Sequence, residues 1–168
     1  MNKLLPALAL AALAAACAPA PAPGGVSGGG AAFDVDDFAW SARAGDNAIV
    51  GHVDYRFEGQ QWRCAGAVGL TPDTPYTRRR FSVLYGSTRS AALPAAVVRA
   101  RTVQEAGADY RSFVRDTQCD AQDRFRFDDL PDGGWFVIAP VRAEGQEPVV
   151  LMQRVTTRGG PATAVTLN

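Results

Sequence analysis

The alternation of apolar and polar residues after Phe33 constrains the fold of this chain more than any other feature. In residues 49–57 the apolar or small side chains occupy every second position, and residues 62–70 repeat the pattern. A period of two predicts half-buried strands. The intervening turn at residues 58–61 predicts that the two segments form a hairpin. The sequence therefore favours sheets over a helical bundle.

Further strand candidates follow this hairpin, separated by Gly, Pro and Asp at the spacing typical of a sandwich. They comprise residues 81–85, 111–117, 124–127, 135–141, 149–156 and 163–167. Together these segments predict an all-β fold, a Greek-key antiparallel β-sandwich of about seven strands.

Residues 87–109 do not fit this spacing, because they are longer than a plain connection between two strands. Residues 92–104 have a composition compatible with a helix, but Pro94 interrupts them. We interpret residues 87–109 as a long connection that contains at most one or two helical turns, within a longer inserted region, residues 75–109. Long loops of this kind are either functional or disordered.

The N-terminus carries a localisation signal. A thirteen-residue apolar run, Leu4 to Ala16, follows Lys3 and ends at Cys17. The run is too short to span a bilayer, which needs about 20 apolar residues, so it is predicted to be a cleaved signal peptide. Ordinary cleavage after Ala16 or Ala18 would release a soluble secreted protein.

The sequence around Cys17 resembles the lipobox of bacterial lipoproteins, with Ala14 where that family usually has Leu. The resemblance implies cleavage before Cys17, a diacylglycerol on its sulfur and an acyl group such as palmitate on its amine. Ala18 after the cysteine resembles the outer-membrane sorting signal of enteric bacteria. The implied location is the bacterial cell envelope, with the protein held by its lipid anchor to the outer membrane and facing the periplasm.

Composition divides the chain into three parts. Residues 1–16 form the predicted lipoprotein signal peptide, residues 17–32 the lipidated cysteine with a Pro/Gly-rich tether, and residues 33–168 the domain. The tether sequence cannot bury apolar surface, and its proline-rich half favours an extended conformation. The domain is long enough for one hydrophobic core.

The two remaining cysteines, Cys64 and Cys119, form an even pair. In an oxidising compartment a disulfide between them is the first expectation. Two buried free thiols are the alternative. A catalytic thiol is a weaker hypothesis, since His52, the single histidine of the chain, would have to serve as its base.

Residues 120–137 resemble the carboxypeptidase regulatory-like domain, a transthyretin-like sandwich. They combine a turn, a Phe-x-Phe strand at Phe125 and Phe127, a Leu-Pro-Asp-Gly turn and an aromatic strand. Residues 48–72 resemble the first two strands of the same domain. Asp123 stands where that family usually has Gly, and Asp adopts the left-handed conformation less freely.

The residue inventory argues against the enzymes related to this domain. A zinc peptidase or a transthyretin-like hydrolase of purine breakdown needs several histidines, and the chain has only His52. Within the domain, residues 33–168, no Gly-x-Ser-x-Gly motif is present for a serine hydrolase. We interpret His52 as an exposed strand residue. Sixteen arginines and 17 acidic residues follow Cys17, which argues against nucleic acid as a partner.

Three groups of side chains remain as candidates for binding. Tyr76, Arg78, Arg79 and Arg80 form a possible binding surface in the inserted region, although a solvated loop is the simpler interpretation. Six rings, if exposed and coplanar, would stack on sugars, but core packing is more usual; they are Trp40, Trp62, Tyr76, Tyr85, Tyr110 and Trp135. Two acidic clusters, residues 34–37 and 116–132, suit turns and caps better than calcium.

The sequence thus predicts a non-enzymatic, lipid-anchored envelope protein whose sandwich is a binding or interaction module. A carbohydrate- or peptidoglycan-binding module is the alternative, and a cryptic hydrolase is the third hypothesis. We expect the membrane, through the anchor, and an envelope protein or glycan as partners. No cofactor, metal ion or catalytic residue is predicted.

Overall fold

Ten strands and three α-helices make up the part of the chain described by the computed structural model, residues 32–103, 108–160 and 162–168. The predicted signal peptide, Cys17 and residues 18–31 of the tether lie outside the described residues. The strands are β1 Asn47–Val53, β2 Tyr55–Phe57, β3 Gln60–Cys64, β4 Val68–Pro72, β5 Ser90–Pro94, β6 Arg115–Thr117, β7 Arg124–Leu130, β8 Gly133–Arg142, β9 Val149–Thr157 and β10 Thr163–Leu167. The helices are α1 Pro75–Tyr85, α2 Ala95–Ala100 and α3 Ala108–Arg111.

The strands form two sheets. The smaller sheet has the order β10-β1-β7, in which β1 runs parallel to β10 and antiparallel to β7. In the larger sheet β8 pairs with β9 along one edge and with β4 and β3 along the other, while β5, β6 and β2 lie farther out. The predicted all-β sandwich is confirmed. It has ten described strands instead of about seven, and the β1–β10 pair is parallel.

The main core lies between the two sheets, and the alternation in the sequence positions it. Ile49 and Val53 of β1 point inward, while His52 between them is exposed, as predicted. Gly51 leaves room for the ring of Phe125, since a Cβ atom there would come within 1.9 Å of the ring. The inward side chains of the larger sheet include Leu70, Trp135, Val137, Ala139, Val141 and Leu151.

Both alternating runs are interrupted, so each is two strands instead of one. The first run passes from the smaller sheet (β1) to the larger one (β2), whereas both strands of the second run, β3 and β4, pair with β8 in the larger sheet. The first run breaks at Asp54, whose backbone N–H donates to the carbonyl of Leu167 at 2.9 Å. The second breaks at residues 65–67, between β3 and β4. The predicted hairpin is formed by β2 and β3 around Glu58 and Gly59, which both have positive φ. Gln60 and Gln61, predicted to belong to the turn, lie in β3.

The inserted region folds as a helical layer, and the prediction of a strand at residues 81–85 was wrong. Thr74 caps α1 through the N–H of Thr77 at 3.2 Å, and Gly86 ends the helix in the left-handed conformation. Phe81 and Tyr85 pack on Phe136 and Met152 in a second core. Successive residues of β8 therefore face opposite cores, and both faces of this strand are covered.

The rest of the insert also contains more regular structure than the predicted loop. Residues 92–104 divide at Pro94, which ends β5 and immediately precedes α2. β5 pairs with β9 from Ser90 to Pro94 and extends the larger sheet. The predicted strand at residues 111–117 is limited to Arg115–Thr117, because Arg111 still belongs to α3.

Candidate functional site

A disulfide fixes the segment that leads into β7. Cys64 and Cys119 are bonded with their Cα atoms 6.2 Å apart, which confirms the predicted pairing. Beside it, the backbone N–H of Cys64 donates to Oδ1 of Asp123 at 3.0 Å, and Arg63 pairs with the same carboxylate. Asp123 has a φ of 59°, so it takes the left-handed conformation, and its side chain joins β3 to the turn.

This segment forms one wall of a shallow groove of about 370 Å³. The floor is the outer face of β1 and β7, which is opposite to the main core. We call it the β7 groove, and its lining residues are Val50, Thr117, Gln118, Asp120, Arg124, Phe125 and Arg126. The groove is therefore open to solvent. Five of its seven lining residues have polar side chains, whereas most of the surface that lines it is apolar.

The charged side chains of the β7 groove are held by neighbours. Oδ1 of Asp120 accepts from the backbone N–H groups of Gln122 and Arg124, both at 2.9 Å, and Oδ2 accepts from Nε of Arg124 at 2.8 Å. These hydrogen bonds, led by that from the backbone of Arg124, lower the pKa of Asp120. Nε of Arg126 donates to Asp128 at 2.7 Å, and this contact raises the pKa of Arg126.

The side chains of the β7 groove can recognise polar groups of a ligand through hydrogen bonds. Carboxylate oxygens and guanidinium N–H groups offer acceptors and donors in fixed planes. His52 pairs with Arg124 across the β1–β7 ladder but does not line the groove. Within the described ranges no group of three His, Cys, Asp or Glu side chains is placed to hold a metal ion.

The predicted surface around Tyr76 and the three arginines that follow Thr77 lies on α1 instead of on a loop. Arg78 donates to both carboxylate oxygens of Asp73, at 2.5 and 3.0 Å, and this contact raises the pKa of Arg78. The Asp73 side chain is fully buried and also accepts from Arg154 of β9 at 2.5 Å. Arg78 thus fastens the helix to the larger sheet, whereas Arg79 is exposed on the outer surface.

Tyr76 belongs to a group of rings that the sequence did not reveal. This aromatic cluster consists of Phe33, Phe38, Tyr76, Tyr110 and Phe113, with ring centroids between 5.1 and 6.5 Å apart. The guanidinium carbon of Arg80 lies 5.8 Å from the ring of Tyr110. Burial raises the pKa of Tyr110, whose hydroxyl lies 3.2 Å from that of Thr71. The cluster attaches the beginning of the domain to α1.

The six candidate rings for sugar stacking serve mainly in packing. Trp62, Tyr85, Tyr110 and Trp135 are buried, and Trp40 packs edge-on against Trp135 with centroids 5.0 Å apart. They do not form an exposed coplanar face, so the prediction that they pack in cores is confirmed.

The acidic clusters are used as caps and ion pairs. Asp34 caps the 3₁₀ turn Val35–Asp37 by accepting from the N–H of Asp36 at 3.0 Å. In the second cluster, Asp120, Asp123 and Asp128 each pair with an arginine. This agrees with the interpretation of these residues as turn and cap residues.

Comparison with known proteins supports the fold and leaves the family open. No protein-family model and no curated protein matches the chain. A solved structure from Pseudomonas aeruginosa, described as a "putative carbohydrate binding protein", has a TM-score of 0.57 and 21% sequence identity, and the match covers 80% of this chain and 96% of that chain. At this identity the likeness shows the sandwich fold alone. The resemblance to the carboxypeptidase regulatory-like domain stays a prediction. No helix in the described ranges is long and apolar enough to cross a membrane.

Proposed function

We propose that the chain is a lipid-anchored envelope protein whose sandwich binds carbohydrate in the β7 groove without catalysing a reaction. The observation that carries the proposal is the fixed hydrogen-bonding wall formed by Asp120, Arg124 and Arg126 beside the disulfide. Sugars present many hydroxyl groups on a small apolar ring. A groove that combines the polar groups of this wall with a mostly apolar lining surface, Val50 and Phe125 included, complements that chemistry.

Preorganisation makes this surface suitable for binding. A flexible side chain loses about 0.5–1.5 kcal/mol of conformational freedom when a ligand fixes it. In the groove Asp120 already holds Arg124, and the disulfide already holds the segment that contains Thr117 and Gln118. A shallow open groove still limits the affinity, so we expect dissociation constants between about 1 mM and 1 μM, or about −4 to −8 kcal/mol.

The structural neighbour supports carbohydrate as the ligand class. The match includes nearly the whole of the neighbour, which is described as a "putative carbohydrate binding protein". Stacking on the six rings that the sequence offered is not the expected mode, because most of them are buried. Recognition through arginine and carboxylate side chains is the mode that this surface supports.

Anchoring is proposed from the sequence around Cys17. The apolar run before this residue and the tether after it suit a lipidated cysteine that holds the domain away from a membrane. We further propose the outer membrane, facing the periplasm, as the location. Envelope glycans, peptidoglycan among them, would then be within reach of the β7 groove.

A glycan array followed by calorimetry tests the carbohydrate proposal. The acylated protein, solubilised in detergent, is screened against an array that includes peptidoglycan fragments, and the affinity for the best ligand is then measured. We expect Arg126→Ala to weaken binding about tenfold or more, because it removes a charged hydrogen-bond donor. Gln118→Ala should weaken binding less, because the lost group is a neutral amide.

The matched control is Arg56→Ala, which removes the same charge from a side chain outside the groove that is 70% exposed. This control should bind as the wild type does. Absence of binding to every glycan, or equal losses in Arg126→Ala and Arg56→Ala, would contradict the proposal.

A further inference from the structure

We propose that the outer face of α1 and α2 rests against anionic lipid headgroups of the membrane that holds the anchor. The arginine face consists of four exposed side chains, Arg79 and Val83 on one face of α1 and Val97 and Arg99 on the two flanks of α2. The inference rests on the proposed lipid anchor. It assigns the helical layer a role separate from that of the β7 groove.

The distribution of charge is the first argument. The inserted region, residues 75–109, contains six arginines and two acidic residues, Glu105 and Asp109. It carries a formal charge of +4, whereas the rest of the chain after Cys17 carries −5. A nearly neutral protein therefore concentrates its positive charge in one inserted layer. Such a surface is attracted to anionic lipids, by about 1 kcal/mol for each basic side chain near the headgroups.

The exposed apolar side chains are the second argument. Val83 is 45% exposed and Val97 is 40% exposed, and they are two of the four large hydrophobic side chains exposed in the described ranges. Arg79 and Val83 lie one helical turn apart, so they share the outer face of α1. Apolar side chains beside arginines are typical of surfaces that rest in the interfacial region of a membrane.

The point at which the tether joins the domain is the third argument. The ring of Phe33, directly after the predicted tether, packs on Tyr76 in the first turn of α1 with centroids 5.6 Å apart. Fifteen residues separate Cys17 from Phe33, and at about 3.1 Å per extended residue they reach roughly 45 Å at most. The domain can therefore turn its helical layer toward the membrane without wrapping the tether around the sandwich.

Three exposed aspartates follow Phe33 and oppose contact at that point. Asp34, Asp36 and Asp37 would be repelled by an anionic surface. We therefore expect the contact to be made by α1 from Arg79 to Val83 and by α2, and not by the beginning of the domain.

Hydrogen exchange of the acylated protein in vesicles tests this inference. The protein is reconstituted into vesicles of phosphatidylcholine alone and into vesicles that contain about one-third phosphatidylglycerol. We expect the amides of α1 and α2 to exchange more slowly in the anionic vesicles, and the difference to fall at about 1 M salt, where the screening length is near 3 Å.

Arg79→Gln and Arg99→Gln, made separately, should each lower the ratio of docked to undocked protein about fivefold. Arg56→Gln, outside the helical layer, removes the same charge and should leave the ratio unchanged. Equal exchange in the two kinds of vesicle, or equal effects of the three substitutions, would overturn the inference. Failure of the anchor itself is distinguishable, because the wild-type protein would then not float with either kind of vesicle.

Discussion

Removing the disulfide is the perturbation whose effect can be worked out most fully from the structure. Cys64 and Cys119 are 55 residues apart in the sequence. In the chain-entropy model, closing a loop of this length lowers the entropy of the unfolded chain by about 14 cal/mol/K, or about 4 kcal/mol at 25 °C. A domain of this size is stable by only about 5–15 kcal/mol. The double variant Cys64→Ser/Cys119→Ser should therefore lose a large share of its stability.

Urea unfolding of the oxidised wild type and the double variant measures this loss. With a slope of about 2 kcal/mol/M, the midpoint should fall by about 2 M. The same variant should bind the ligand of the β7 groove less tightly, because the segment around Gln118 is no longer fixed before binding. A midpoint shift below about 0.5 M, or two alkylatable thiols in the oxidised wild type, would refute the reasoning.

Three further perturbations have expected outcomes. Asp73→Asn should lower the free energy of unfolding by about 2 kcal/mol, because two exposed arginines lose their ion pair with a fully buried carboxylate. Urea unfolding measures this loss. The control Asp54→Asn, which removes an exposed ion pair, should change the free energy of unfolding by less than about 0.5 kcal/mol. Burial raises the pKa of Tyr85 to about 12 from an ordinary value of 10.0, so its contribution to stability should be complete below pH 10 and fall as pH rises toward 12. In Tyr85→Phe, absorbance at 295 nm should lose one ionisation step near pH 12. Cys17→Ser should abolish fatty-acid labelling and membrane fractionation, and membrane association of a wild type without acyl mass would contradict the anchor.

The sandwich was predictable from the sequence because strands such as β1 bury one face against the core and expose the other. From Ile49 to Val53 every second residue is buried, and the alternation of apolar and polar residues in the sequence predicts this directly. The hairpin was predictable because Gly59 marks its turn. The break at Asp54 was not predictable, because the alternation of apolar and polar residues continues through it. On one side of the break β1 pairs with β10, and on the other side β2 pairs with β3.

The helical layer was missed although its signals are present. Thr74 before Pro75, with Thr77 three residues later, is a helix start, and Gly86 is a helix end. Thr77, Phe81 and Tyr85 recur at helical spacing, but the aromatic and β-branched residues among them also suit a strand. The continuous apolar run of β8 indicated a strand covered on both faces, as in sheets that carry helices.

The β7 groove was beyond sequence reasoning because its lining comes from three separate parts of the chain. Val50, Thr117 and Arg124 meet only when β1 pairs with β7 and the disulfide draws the intervening segment beside them. The aromatic cluster has the same character, since Phe33 and Tyr110 are far apart in sequence and close in space. Pairwise contacts of this kind leave no periodic pattern.

The most direct test of carbohydrate binding is a map of the ligand contacts by NMR. Backbone amide shifts of the domain are recorded while the best glycan from the array is added. The proposal predicts that the largest shift changes cluster at residues 117–126 and around Val50, with the helical layer unaffected. Changes confined to α1 and α2, or no change at glycan concentrations of about 10 mM, well above the expected dissociation constant, would contradict it.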